Sequence, residues 1–173
     1  IVAYILWIGK DIPAKIKPIN SQIEQLPYLQ RAADTINGKK VYTAKCQLCH
    51  GVNGDGGYSV DAAIYYPPLW GAGSYNTGAG MYRLSSLAGF VKNNMPFGVN
   101  HGQSQLSNEE CWDVAALINA KPRPYKNFPG AWPDIIKKAI DHPFGPYADS
   151  FSELQHKYGP FEPIAIKRKK KFN

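Results

Sequence analysis

The 173 residues predict an all-α fold, a few helices joined by long irregular loops and followed by an extended C-terminal tail. Three observations support that expectation. Residues 108–120 show helical periodicity behind a start signal, with Ser107 and Glu110 spaced as a capping box and Trp112, Ala115, Ala116 and Ile118 recurring along the segment. A second helix start stands at Asp34, a good N-cap, and no strand pattern precedes Cys46. Glycine (16) and proline (14) fill so many positions that irregular connections are favoured over a helix-dense bundle.

In chain order, residues 1–9 read as the last turns of a helix ending at Gly9, and Pro13 and Pro18 prevent its quick resumption. Residues 10–33 form a proline-interrupted connector with apolar contacts at Ile23, Leu26, Tyr28 and Leu29. The helix from Asp34 runs through Lys45 into Cys46. Gly38 in its middle costs about 1 kcal/mol relative to Ala, so a close neighbour is expected against its backbone. Tyr42 lies one turn on along the same face. Residues 51–80 are glycine-rich and loop-like, with Pro67-Pro68 inside them. A short helix over 80–93 would use Tyr82, Leu84, Leu87, Phe90 and Val91, and Asn94-Met95-Pro96-Phe97-Gly98 then makes a turn. The helix at 108–120 is expected to cross the Gly38/Tyr42 face, with Trp112 or Ala116 over Gly38. Beyond Lys121 the chain is proline-rich to Pro163, with one short helical candidate at 133–140. The chain thus divides into an N-terminal helix remnant and connector (1–33), a central domain (34–121) and a Pro-rich extension with a basic tail (122–173).

The formal charge of +7 is lopsided. Lys167, Arg168, Lys169, Lys170 and Lys171 form an unbroken basic run, and without them the body carries +2. The run serves either as a solvated, disordered tail or as a docking surface for an acidic partner or an anionic surface. Aromatic and basic residues do not alternate as in a nucleic-acid groove, which sets nucleic acid aside as a partner. No stretch reaches the roughly 20 apolar residues that cross a bilayer, so no transmembrane segment is expected. The apolar opening at 1–8 is too short, and it lacks the charged region and cleavage site of a leader. The three cysteines, Cys46, Cys49 and Cys111, are an odd count with two inside one short motif, which does not make a disulfide framework.

That motif, Cys46-Gln47-Leu48-Cys49-His50, is the strongest chemical signal in the chain. Two thiols three residues apart can add to the two vinyl groups of one haem, and the adjacent His is then held under the iron. One covalent haem c is therefore expected through Cys46 and Cys49, with His50 as the proximal axial ligand and its second ring nitrogen needing an acceptor. A zinc site would want four ligands, and no second Cys/His pair stands at suitable spacing. A redox dithiol would want a βαβ context, which is missing. For the sixth ligand, Met95 is preferred, because a thioether in the rigid Asn-Met-Pro turn suits a low-reorganisation electron site, favours Fe(II) and raises the potential relative to bis-His ligation. Met81, inside an apparent helix, reads as core or haem-edge packing, His101 as a loop residue exposed to water, and His142 and His156 are available in principle. Lys92 lies near enough to compete, or is simply a solvated surface lysine. A carbonyl of the Pro67-Pro68-Leu69-Trp70-Gly71 segment, that of Pro67 for example, would accept the His50 proton, unless these prolines only shape a loop. Trp70, Tyr75 and Tyr82 would wall the crevice or bond a propionate, or else fill the core. Cys111, in the first turn of its helix, is either a reactive thiol or a small buried residue beside Trp112.

The order of these features (a helix with Gly38 and Tyr42, then CxxCH, Pro67-x-Leu69-x-Gly71, Met95-Pro96 and an amphipathic final helix) resembles the class I cytochromes c. Longer segments sharpen the likeness: Pro67-Pro68-Leu69-Trp70-Gly71, Ser74-Tyr75-Asn76 with Gly78-Ala79-Gly80-Met81, Asn94-Met95-Pro96, Trp112-Asp113-Val114-Ala115-Ala116 and the tail motifs at 145–151 and 155–161 resemble the C-terminal haem domain of the dihaem thiosulfate dehydrogenases. This resemblance implies a class I cytochrome c fold around one covalent haem that relays electrons outward. It also implies a first haem domain, with a His/Cys-ligated iron, where two thiosulfate ions are joined into tetrathionate. Only one CxxCH is present, and Cys111 does not align with that Cys ligand, so the catalytic half is expected elsewhere, in a longer chain or another subunit. Ala3-Tyr4-Ile5-Leu6-Trp7 resembles the end of the last helix of that first domain. The implied partners are a redox protein or a second haem domain, and the implied location is periplasmic or otherwise exported. The alternative function is that of an active thiosulfate dehydrogenase once its first domain is supplied.

Overall fold

A computed structural model describes residues 1–13, 23–99, 103–127 and 130–172, the side chains of 171 and 172 excepted. Helix α1 (Val2–Ile8) is exposed along its whole length. Helix α2 (Thr35–Lys45) starts where Asp34 accepts hydrogen bonds from the backbone N–H groups of Ile36 and Asn37. A single turn, α3 (Gln47–His50), continues it. Helix α4 (Leu84–Asn94) follows a 3₁₀ turn at Gly80–Tyr82, and α5 (Asn108–Ala120) opens with the expected capping box, Ser107 and Glu110 bonding each other's backbone.

Helices α2 and α5 cross at Gly38. A Cβ built there would lie 2.0 Å from the carbonyl oxygen of Asp113 and 3.1 Å from Cβ of Leu117. The crossing residues are thus one position on from the Trp112 and Ala116 expected from sequence. Trp112 faces elsewhere: its ring packs on Phe161, with centroids 5.6 Å apart, and its Nε1–H donates to the Pro27 carbonyl. Asp113 is fully buried at the crossing and accepts from both terminal nitrogens of Arg31 at 2.8 Å, from the Asp34 N–H at 2.7 Å and from Asn37 at 2.7 Å. Burial alone would push this carboxyl up, but the Arg31 hydrogen bond, then those of Asp34 and Asn37, bring it below the usual carboxylate range.

Helix α4 packs on α5 and is approached by the connector, whose Glu24 carbonyl sits where a Gly89 Cβ would be. It begins later than sequence suggests because a distant side chain caps it: Asp141 accepts from the Ser85 N–H at 3.0 Å and pairs with Arg83 at 2.8 Å. Within the glycine-rich loop, β1 (Gly57–Tyr58) pairs antiparallel with β2 (Tyr65–Tyr66), Gly57 opposite Tyr66. Strands of two residues are too short to leave an alternation in the sequence.

The extension holds a 3₁₀ turn at Ile135–Lys137, in place of the candidate at 133–140, and two helices not expected above, α6 (Glu153–Tyr158) and α7 (Glu162–Phe172). The basic run is therefore helical instead of disordered. Pro163 is compatible with α7 because it sits in the first turn, where the N–H has no partner within the helix. Connector and extension both enter the core: Leu26, Ala33, Phe161 and Ile164 join Tyr42, Leu84, Ala88, Trp112 and Ala116 in one apolar cluster. No helix among the described residues is long and apolar enough to cross a membrane.

Candidate haem-attachment site

The end of α2 sets the register of the attachment motif. Cys46 N–H donates to the Tyr42 carbonyl and His50 N–H to that of Cys46, so the chain stays helical through the motif. Cys46 and Cys49, three residues apart on this turn, lie on one face, while Leu48 between them is 96% exposed. Gly51 ends the turn with φ of +78°, a conformation that favours glycine, and its carbonyl accepts from the buried Tyr42 hydroxyl at 2.6 Å. Burial, with the neighbouring Cys49 charge adding to it, pushes the Cys46 thiol up to about 11. A redox-active dithiol needs the opposite shift. No cluster of three or more His, Cys, Asp or Glu side chains able to hold a metal ion occurs among the described residues, so the motif has no zinc-site company.

His50 is buried, and its Nδ1 stands 3.0 Å from the Pro67 carbonyl oxygen. The carbonyl can only accept, so Nδ1–H donates and Nε2 is the nitrogen left to meet a metal; burial lowers the ring's pKa, against the Pro67 hydrogen bond that raises it. The Pro67 carbonyl is held in place by the loop before it. Gly56 N–H donates to the His50 carbonyl and Leu69 N–H to that of Gly54. At Gly54 a Cβ would lie 2.3 Å from the Trp70 ring, so only glycine lets the 67–70 segment close over the motif.

Met95 ends α4, half-buried, and packs against the core as Cys46, Leu69, Trp70 and Met81 do. Of the competing ligands, His156, His142 and Lys92 have partners elsewhere. His156 is buried with Nδ1 2.6 Å from the Ile140 carbonyl and Nε2 2.9 Å from Asp149, and its ring stacks on Tyr147. His142 lies in the extension, edge-on to Trp132 and Phe144. Lys92 is half-buried, not a free surface lysine, and donates to the Leu106 carbonyl at 2.7 Å. His101 lies outside the described residues. Trp70 packs on Tyr42, centroids 5.0 Å apart. The Tyr75 hydroxyl donates to Asn119 at 2.9 Å, and the Tyr82 ring rests against Phe144. Cys111 is fully buried, and burial pushes its thiol up to about 12, which removes the reactive reading.

Sequence reasoning passed over two residues. Asn93 has both amide atoms buried without a hydrogen-bond partner, and Arg123 has Nε and Nη1 in the same condition. Buried polar groups are rarely left unpaired. Such donors, together with half-buried apolar side chains at Leu69, Trp70, Met81 and Met95, fit a broad apolar macrocycle that carries carboxylates. The only trace of Arg123 in the sequence is its place between Pro122 and Pro124, which says nothing about burial.

The cytochrome c family model matches residues 36–121. The thiosulfate dehydrogenase of Allochromatium vinosum is 41% identical over 71% of this chain and 44% of its own length. That of Thiomonas intermedia is 43% identical over 70% of this chain and 38% of its own. Among solved structures, thiosulfate dehydrogenase TsdBA from Marichromatium purpuratum aligns with a TM-score of 0.61 and 37% identity, covering 75% of this chain and 27% of that one. The chain therefore spans less than half the length of these relatives. Its helical fold is that of the class I cytochromes c, and its cofactor is haem c bound through Cys46 and Cys49. These matches, the first of which contains the attachment motif, place the chain in the cytochrome c family, as a haem electron-transfer domain of the thiosulfate dehydrogenase type.

Proposed function

We propose that His50 and Met95 are the axial ligands of the haem and that the domain relays single electrons between a catalytic haem domain and an outside acceptor. Haem c supplies a one-electron Fe(III)/Fe(II) couple, and a His/Met ligand pair favours the reduced state more than two imidazoles would. The carrying observation is the His50–Pro67 hydrogen bond, which fixes the tautomer and orients the ring with Nε2 free. The Cys46 and Cys49 side chains hold the macrocycle without any binding equilibrium. Met95 is positioned by the last turn of α4, where its N–H donates to the Val91 carbonyl. Tyr42, Trp70 and Leu69 exclude water from the proximal side, which keeps the reorganisation accompanying electron transfer small.

The relatives named thiosulfate dehydrogenase are more than twice as long as the matched stretch, so oxidation of thiosulfate to tetrathionate would belong to this chain only with a second haem domain. An exported, periplasmic location suits covalent haem attachment. The basic C-terminal end of α7, with Lys167, Arg168, Lys169 and Lys170, suits an acidic redox partner. The ferric optical spectrum tests the ligation: a sulfur-to-iron charge-transfer band at long wavelength is expected, lost in M95A with the appearance of high-spin features. High-spin iron in the unsubstituted protein would overturn the assignment. Thiosulfate:acceptor assays on this chain alone test the division of labour, because turnover at enzymatic rates would refute a pure relay.

A further inference from the structure

We infer that Arg123 is the carboxylate anchor of the haem, its buried guanidinium taking a propionate. This assignment rests on the haem reading above but not on the identity of the sixth ligand. The backbone around Arg123 is fixed on both sides. Pro122 and Pro124 have no N–H, and their carbonyls accept from Gly71 at 2.7 Å and from Thr77 at 3.0 Å, which pins the residues after α5 to the loop that follows Leu69 and Trp70. From this frame the side chain turns inward. Its Nη2 donates to the Ile118 carbonyl at 2.6 Å, and the guanidinium lies over the rings of Tyr75 and Tyr82, 4.2 and 4.9 Å from their centroids.

Those contacts position the group without satisfying it. Ring faces attract a cation but do not replace hydrogen-bond acceptors at its edge. Nε and Nη1 are both buried with no acceptor among the described residues, and no Asp or Glu of those residues pairs with Arg123. The Tyr75 hydroxyl donates to Asn119, which in turn donates to the Met81 and Tyr82 carbonyls, and a neutral phenol oxygen offers the guanidinium no charge to match its own. A guanidinium cannot shed its proton to escape burial, and leaving its donors unpaired costs several kcal/mol. The matching group must be anionic, must present oxygen acceptors, and must enter beside Tyr75 and Tyr82. A haem propionate meets all three conditions. Arg123 is in this sense a positioning residue: it orients the macrocycle and places a permanent positive charge close to it, which favours Fe(II).

The test uses the full chain matured with haem, and its R123Q and R123K variants. Intact mass first establishes that one haem remains bound through both thioethers. In R123Q we expect the Fe(II)/Fe(III) ratio at a fixed ambient potential to fall several-fold, tenfold being about 59 mV for a one-electron couple, and the propionate bending bands in resonance Raman spectra to shift. R123K, which keeps the charge but not the planar fork, should restore most of the ratio while leaving the bands displaced. If R123Q does not accumulate, the displaced bands of R123K carry the test. Variants whose potential and bands match the unsubstituted protein overturn the inference. So does a difference that appears only on adding sulfate or thiosulfate, which would assign the donors to an exchangeable anion. Absence of covalent haem from the unsubstituted chain would instead defeat the haem reading itself.

Discussion

Replacing Gly38 by alanine sets two effects of opposite sign against each other, and the geometry says which wins. In an exposed helix the change would gain about 1 kcal/mol of propensity. Here the new Cβ would stand 2.0 Å from the Asp113 carbonyl oxygen and 2.6 Å from its carbon, both backbone atoms of α5 that cannot rotate aside. To reach ordinary contact at 3.4 Å, α2 and α5 must separate by 1.4 Å along that line. Overpacking of a well-filled core costs about 1–3 kcal/mol, and the upper end applies because the same displacement pulls Asn37 and Asp34 away from the Asp113 carboxylate. The net expectation is a loss of about 2 kcal/mol. Urea unfolding of the haem-loaded protein reads it as a fall of about 1 M in the midpoint, since slopes for small proteins are about 1–3 kcal/mol/M. Gly80, around which nothing lies within 4 Å, is the control, and G80A should change stability by less than about 0.5 kcal/mol. A G38A protein as stable as the unsubstituted one would refute the close crossing.

The remaining predictions concern single groups. D113N should cost about 2–4 kcal/mol, because Arg31 and two N–H donors lose a charged acceptor. The Asp113 pKa is depressed in the folded chain, so its contribution is fully present above the unfolded value of about 3.9 and lost as pH falls through the folded one. Stability measured from pH 6 to pH 2 should therefore decline less steeply in D113N. In the haem-loaded protein Cys111 is the one cysteine not bound to haem. It should resist iodoacetamide at pH 8 and react only after denaturation, as read by intact mass, and rapid labelling of the native protein would contradict its burial. Substituting Pro68 by alanine should leave His50 ligation unchanged, because the acceptor is the Pro67 carbonyl. A large shift in the ferric spectrum would show that the second proline, too, sets the ring.

The helices with local start signals were legible from sequence because the signal and the structure use the same atoms. Asp34 and the Ser107/Glu110 pair cap their own helices, and the CxxCH spacing states its chemistry outright. Gly38 announced a close crossing through its helix penalty, although which residue of α5 crosses depended on Trp112 finding Phe161 and Pro27 elsewhere. The losses occurred where a distant residue decides. Helix α4 begins at Leu84 because Asp141, far along the chain, caps it. The α7 helix is polar and begins with prolines nearby, so neither periodicity nor propensity marks it, and it forms because Phe161 and Ile164 enter the core. Ser152 and Gln155 did hold a readable start signal for α6, where the Ser152 hydroxyl accepts from the Gln155 N–H. The unpaired donors of Arg123 had no local signature at all.

The connector and the extension meet behind the last haem-domain helix. Ala33 N–H donates to the Tyr158 carbonyl, Gln30 reaches Glu162, and Phe161 seals Trp112. Shortening the polypeptide to the stretch that the cytochrome c model matches would strip this seam, leave the indole of Trp112 facing water and take the capping carboxylate from α4. The smallest autonomous piece of this protein is therefore larger than its family's common denominator. The surplus residues work as a girdle that keeps the cytochrome closed.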